Sequence, residues 1–219
     1  MLEVPKWVEQ MKVLAVVQQK GGTGKSTTSL NVAVAAVLRG YHVALLETDP
    51  QGSLQLWRGL RRKRWPCVHT LSSGELAAWL ARHPHLFDLV IVDTPAHDGT
   101  TIADAVKAAN LALIVTQPTM LATSVAMRLR NLFLDHGIPF AILLSQTPPT
   151  LSARLAQWID NHRLLGTVVQ GQLAYRFAYQ DAIAVGMGVV EYEPDGRAAA
   201  EVQIVTDWIL HRLEIIDEP

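Results

Sequence analysis

Residues 15–38 read AVVQQKGGTGKSTTSLNVAVAAVL. An apolar run, Val13–Val17, leads into Lys20-Gly21-Gly22-Thr23-Gly24-Lys25-Ser26-Thr27, and an apolar stretch of helical character follows. Glycines let a backbone turn tightly enough for successive N–H groups to converge on one anion. The helix N-terminus adds its partial positive charge at the same spot. In such a strand–loop–helix unit Lys25 reaches the β- and γ-phosphates of a nucleotide, and the Ser26 hydroxyl ligates Mg²⁺. Gly21 and Gly22 stand too close to Gly24 for the common spacing of one glycine, four variable residues and Gly-Lys-Ser/Thr; a lysine, Lys20, opens the loop. The plain alternative is a glycine-rich turn beside a helix that happens to carry Lys-Ser.

Outward from the loop, apolar runs alternate with helical periodicity, as a parallel sheet with crossover helices requires. The pattern predicts strands at Val13–Val17, His42–Leu46, Leu86–Val92, Leu111–Thr116, Phe140–Ser145 and Gly166–Val169, with Trp65–Leu71 as an edge strand. Helices are expected over Gly24–Leu38, Gln51–Leu60, Gly74–Ala81, Thr101–Ala108, Ala122–His136, Leu151–Asn161, Tyr175–Ala184 and Arg197–Leu213. Continuously apolar strands such as LVIV (residues 89–92) are buried on both faces. The fold class expected is therefore α/β, a three-layer sandwich around a mostly parallel twisted sheet. Residues 12–219 read as a single domain. Residues 1–11 form an N-terminal extension, either an extra helix or the result of start-codon choice ahead of Met11.

The composition narrows the class. The chain has 219 residues, 49% of them hydrophobic and 18% charged, which fits a folded globular protein. Net charge is −1, so any nucleic-acid binding must come from local patches. Cys67 is the single cysteine, which excludes a disulfide framework and a multi-cysteine metal site. No apolar run is long enough to span a bilayer, and a soluble, cytoplasmic protein is expected.

Two strand ends supply acids toward the loop. In LLETDPQGS, Glu47 and Asp49 close the second strand, at the edge where ligands of open α/β sheets gather. In LVIVDTPA, Asp93 ends a buried strand; it is either a helix N-cap or a residue that holds Mg²⁺ through water.

The loop resembles the deviant Walker A motif, K-G-G-x-G-K-S/T, of the ParA/MinD superfamily, and the resemblance runs from Met11 onward. It implies an ATPase that uses ATP and Mg²⁺. Lys20 would cross a dimer interface to the partner's ATP; the bland reading of Lys20 is a solvated loop lysine. Asp49 would position the attacking water, matching the second acid of the family's D-x-D-P-Q, while Glu47 departs from the usual aspartate. The resemblance makes Asp93 the Walker B residue and residues 94–99 a γ-phosphate-responsive segment, with His97 and Asp98 read as ordinary loop polars. By the same analogy adenine lies near Gln146, Thr147 and Pro148, with Tyr192–Asp195 closing the other side.

A relative of this type forms a homodimer with ATP sandwiched, binds DNA without sequence preference, associates with the nucleoid, and works with a ParB-like adaptor. Arg176 matches a DNA-contacting basic position, and Arg163, Arg197 and Arg212 would extend its patch. The run Arg58, Arg61, Arg62, Lys63 and Arg64 is either a solvated helix end or a contact for phosphates or an acidic partner. No helix-turn-helix precedes the loop, so sequence recognition would fall to the adaptor. Iron–sulfur chemistry is excluded by the single cysteine, and the acidic end WILHRLEIIDEP argues against a membrane-targeting helix. The leading expectation is partition of plasmid or chromosomal DNA. The rivals are positioning of a protein cargo, such as a carboxysome or chemoreceptor cluster, and a non-hydrolysing scaffold gated by nucleotide.

Overall fold

The computed structural model describes residues 11–216. The N-terminal extension, Met11 apart, lies outside them.

The strands are β1 (Lys12–Val17), β2 (Val43–Glu47), β3 (Cys67–Thr70), β4 (Leu89–Asp93), β5 (Leu111–Thr116), β6 (Phe140–Thr147) and β7 (Leu173–Ala174). The helices are α1 (Lys25–Leu38), α2 (Ser53–Leu60), α3 (Leu76–Arg82), α4 (Gly99–Ala108), α5 (Met120–Asp135), α6 (Ala153–Arg163), α7 (Phe177–Ala184), α8 (Val189–Tyr192) and α9 (Arg197–Arg212). The seven strands form one sheet in the order β3-β2-β4-β1-β5-β6-β7, and every pairing is parallel.

Alternation along β1 explains the three layers. Leu14 and Val16 pack into one core with residues of α1, α2, α7, α8 and α9. Val13, Ala15 and Val17 pack into the other with residues of α3, α4 and α5. Side chains of a strand alternate between faces, so a strand stretch covered on both sides must be apolar, as β1 is over residues 13–17 and β4 over residues 89–92. Trp57 of α2, 1% exposed, is a core anchor, and its indole N–H donates to the Met187 carbonyl at 3.1 Å.

Element ends shift by a few residues from the sequence expectation, and three differences matter most. Gly166–Val169 is not a strand: Val168 makes an isolated parallel bridge to Ile142, and the last strand is the two-residue β7. β4 starts at Leu89, because Asp88 is turned aside to accept the His42 backbone N–H at 2.7 Å. The short helix α8 fills a stretch where no helix was expected, its start tied by Asn31, whose side-chain oxygen accepts the Val189 N–H at 2.8 Å.

Candidate functional site

The strand order sets the carboxyl ends of β2, β4 and β1 side by side, with Glu47 opposite Asp93 and Asp93 opposite Val16. Two threonines just beyond these ends tie them together. Thr48 Oγ1 donates to the Asp93 carbonyl at 2.8 Å, and Thr94 Oγ1 donates to the Val16 carbonyl at 2.8 Å.

The loop leaves β1 and turns into α1 at Gly24, which has φ 93°. A Cβ there would stand 2.8 Å from Ser145 Oγ, so both conformation and space demand glycine. A glycine N-cap has no side chain to offer, and the first N–H groups of α1 carry no side-chain cap. They face a cavity of about 870 Å³ lined by Gly21 to Thr27, Asp49 and His97 among others. Unpaired N–H groups at the positive end of a helix dipole fit a phosphate.

Lys25 is largely buried beneath this cavity, 8% exposed. Burial lowers its pKa, opposed by the charges of Asp93 and Asp49. Ser26 Oγ donates to Asp93 Oδ2 at 2.5 Å, and Ser29 Oγ donates to Asp93 Oδ1 at 3.0 Å. The Asp93 carboxyl is fully buried, and burial pushes its pKa up to about 7 against the pull of both serines and Lys25. Asp93 therefore caps no helix. Asp98 does: its carboxylate accepts the N–H groups of Thr100 and Thr101 at 3.0 and 3.2 Å, at the start of α4.

The donors fit Mg²⁺. A serine hydroxyl and a carboxylate are hard oxygen ligands, and Mg²⁺ takes few protein ligands beside phosphate oxygens and water. Among the described residues no group of three or more His, Cys, Asp or Glu gathers into a metal site, so an ion here would depend on the nucleotide's own oxygens.

Glu47 and Asp49 divide sharply. Glu47 is fully buried, and its two oxygens accept the Leu54 and Gln55 N–H groups at 2.7 and 2.9 Å. It caps α2, whose own N-cap, Gly52, has no side chain. Asp49 lines the cavity and accepts the Gln51 N–H at 3.0 Å.

Lys20 does not line the cavity. Its ammonium donates to Gln117 Oε1 at 3.2 Å, at the end of β5. Gln117 Nε2 donates to Gln146 Oε1 at 2.7 Å, and Gln146 Nε2 donates to the Gly22 carbonyl at 2.7 Å. Sequence reasoning missed Gln117, although a polar residue directly after an apolar strand at the ligand edge was a signal. A smaller cavity of about 80 Å³ adjoins the large one through Gly24, Thr27 and Gln146, with Tyr175, Arg176 and Tyr179 on its far wall. Thr147 is buried, and Tyr192–Asp195 line neither cavity.

Two of the expected DNA-contact arginines are engaged in ion pairs. Arg176 is held by Glu201, its Nε and Nη2 donating to Oε1 at 2.9 and 2.6 Å. Arg163 pairs with Asp160 at 2.9 Å. Arg197 and Arg212 are the first and last residues of α9, about 22 Å apart at the helical rise. The basic run is broken too: Arg61 is buried, bonded to Glu191 at 2.8 and 3.0 Å and to the Trp65 and Gly186 carbonyls.

An uncapped helix start off the central strand, with a serine and a buried aspartate beneath it, makes this chain a P-loop nucleotide-binding α/β protein. More narrowly, it belongs to the CobQ/CobB/MinD/ParA nucleotide-binding family, whose domain it matches over residues 14–189. It is 30% identical over 201 residues to the maintenance of carboxysome distribution protein A of Gloeobacter kilaueensis, covering 90% of this chain and 85% of that one. It is 25% identical to the protein ParA of Rhizobium radiobacter over 64% of this chain and 67% of the relative. The fold is shared with the septum site-determining protein MinD of Pyrococcus horikoshii, solved with Mg-ADP, at a TM-score of 0.73 and 18% identity over 91% of this chain and 96% of that one. Among the described residues no helix is long and apolar enough to cross a membrane.

Proposed function

We propose that residues 12–219 act as one Mg-ATP-dependent ATPase that dimerises around nucleotide and uses slow, partner-stimulated turnover to position a cargo. The observation that carries this reading is a cavity of about 870 Å³ lined by Lys25, Ser26 and Asp49, with buried Asp93 bonded to Ser26 beneath it. Mg²⁺, when bound, neutralises charge on the β- and γ-phosphates. Ser26 and Asp93 would hold the ion, Asp93 through water; Gly21, Gly22, Thr23, Gly24 and Thr27 would shape the phosphate cradle. Lys25 would pair with the phosphates, its desolvation strengthening the attraction. Asp49, at the cavity wall, would orient the attacking water. Lys20 of one protomer would reach the nucleotide of its partner. The base would sit in the adjoining small cavity, against Gln146 and the Tyr175–Tyr179 wall.

The cargo follows from likeness. A DNA-partition role with a ParB-like adaptor and nucleoid DNA as the track fits the ParA relative. A second reading, a protein-compartment cargo, is favoured by the Gloeobacter kilaueensis relative, whose likeness extends along 90% of the chain. In either case non-specific DNA contact would use Arg163, Arg197 and Arg212, and Arg176 would have to exchange Glu201 for phosphate.

The deciding measurement is turnover with and without DNA. Asp49→Ala should keep ATP binding and lose hydrolysis by about 10²-fold or more; unchanged turnover in this variant overturns its assigned role, and a wild type that binds ATP but shows no turnover under either condition leaves the gated-scaffold alternative.

A further inference from the structure

Lys20, Gln117, Gln146 and the Gly22 carbonyl form one hydrogen-bonded chain whose polarity is forced. An ammonium can only donate, so Gln117 must turn Oε1 to Lys20, 3.2 Å away. Its Nε2 then faces Gln146, whose Oε1 accepts at 2.7 Å. Gln146 is left with Nε2 for Gly22, whose carbonyl accepts at 2.7 Å. Gln117 Nε2 also reaches the Gly22 carbonyl at 3.4 Å, so both amides converge on that one acceptor.

The backbone is shaped for this contact. Gln146 has φ 53°, in the left-handed region that side-chain-bearing residues rarely adopt. It is the extra residue where the β6–β7 register shifts between Ser145 and Thr147. Such bulges re-aim a side chain out of the pleat, and this one aims an amide at the phosphate loop. Gln146 is also the wall shared by the large and small cavities.

We propose that Gln117 and Gln146 are positioning residues that hold Lys20 away from the phosphate cavity until nucleotide enters, so that the lysine is released from a loaded protomer. Phosphate drawing on the loop amides shifts the Gly22 carbonyl, and a base in the small cavity displaces the Gln146 amide. Together the two events remove both acceptors of Gln117 Nε2, and the Gln117 amide, no longer anchored, turns away and releases Lys20. The inference rests on the reading that Lys20 acts across a dimer.

The test is the Mg-ATP concentration at half-dimerisation, at one fixed protein concentration, by sedimentation velocity. Gln117→Leu keeps the side-chain volume and removes the acceptor; its midpoint should fall about fivefold. Gln117→Glu holds Lys20 by charge and should raise the midpoint by a similar factor. A role confined to folding would move both variants the same way, so shifts of one sign, or none, overturn the latch. Lys20→Ala serves as the control. If it dimerises as well as the wild type, the trans-lysine reading fails; if it abolishes dimers while the two Gln117 variants match the wild type, the latch alone fails.

Discussion

Along β2, Val43 and Leu45 face the core covered by α1 and α2, while Ala44 and Leu46 face the opposite core. Glu47 continues the first series, so its carboxylate meets the start of α2, and the residue two positions on, Asp49, lies beyond the strand at the cavity. A strand running on to Asp49 would set both acids on one face; β2 ends at Glu47, and the turn that follows is what gives the two acids different tasks. Removing the first leaves two buried N–H groups without acceptors. Glu47→Ala is expected to cost about 2 kcal/mol of stability, read from the urea midpoint, with Glu47→Gln recovering about half of that loss. Loss of Mg²⁺-dependent nucleotide binding at unchanged stability would overturn this capping role.

Two pairs of elements are joined by buried polar contacts. The end of α2 is clamped to α8 by Arg61 and Glu191, whose side chains are 1% and 4% exposed, with Lys63 also on Glu191 at 3.0 Å. Gly186 lies under this clamp, where a Cβ would stand 2.5 Å from the Arg61 nitrogen. Arg61→Met strands a buried carboxylate and should lower stability by about 3 kcal/mol. Replacing both partners with methionine should recover most of it, and a double-mutant cycle by chemical denaturation measures the coupling. Helices α5 and α6 meet at His162, which is fully buried, its Nδ1 2.7 Å from the Trp158 carbonyl and Nε2 3.2 Å from Thr123 Oγ1. Burial lowers its pKa below 6.5, partly offset by the Trp158 carbonyl. The unfolded chain then binds the proton more readily than the folded one. Stability from this site is present above pH 6.5 and falls as pH drops below it, so His162→Gln should flatten the acid side of a thermal-unfolding pH profile.

Across the whole molecule, charge is dispersed. Net charge is −1; of the four arginines expected at DNA, Arg163 ends α6 and pairs with Asp160, Arg176 pairs with Glu201, and Arg197 and Arg212 stand at opposite ends of α9. Two protomers contributing Arg163, Arg197 and Arg212 would make at most about six phosphate contacts. DNA retention should then fall roughly 10³-fold between 50 and 200 mM salt, measured by fluorescence anisotropy. Retention that survives high salt would exclude these arginines as the footprint.

The glycine loop, the apolar strands and the acid-terminated strand ends were legible in the sequence, because each rests on local chemistry. Glycine spacing shapes a backbone turn, continuous apolarity marks a strand covered on both faces, and a carboxylate after such a strand falls at the ligand edge. The tertiary structure alone decided which acid caps a helix and which lines the cavity, that Arg61 is buried with Glu191, and that a bulge at Gln146 reaches across to Gly22. Those outcomes depend on pairs distant in sequence, such as Lys20 with Gln117 and Arg61 with Glu191. Their partners come together only after the sheet order has brought their strands and helices side by side.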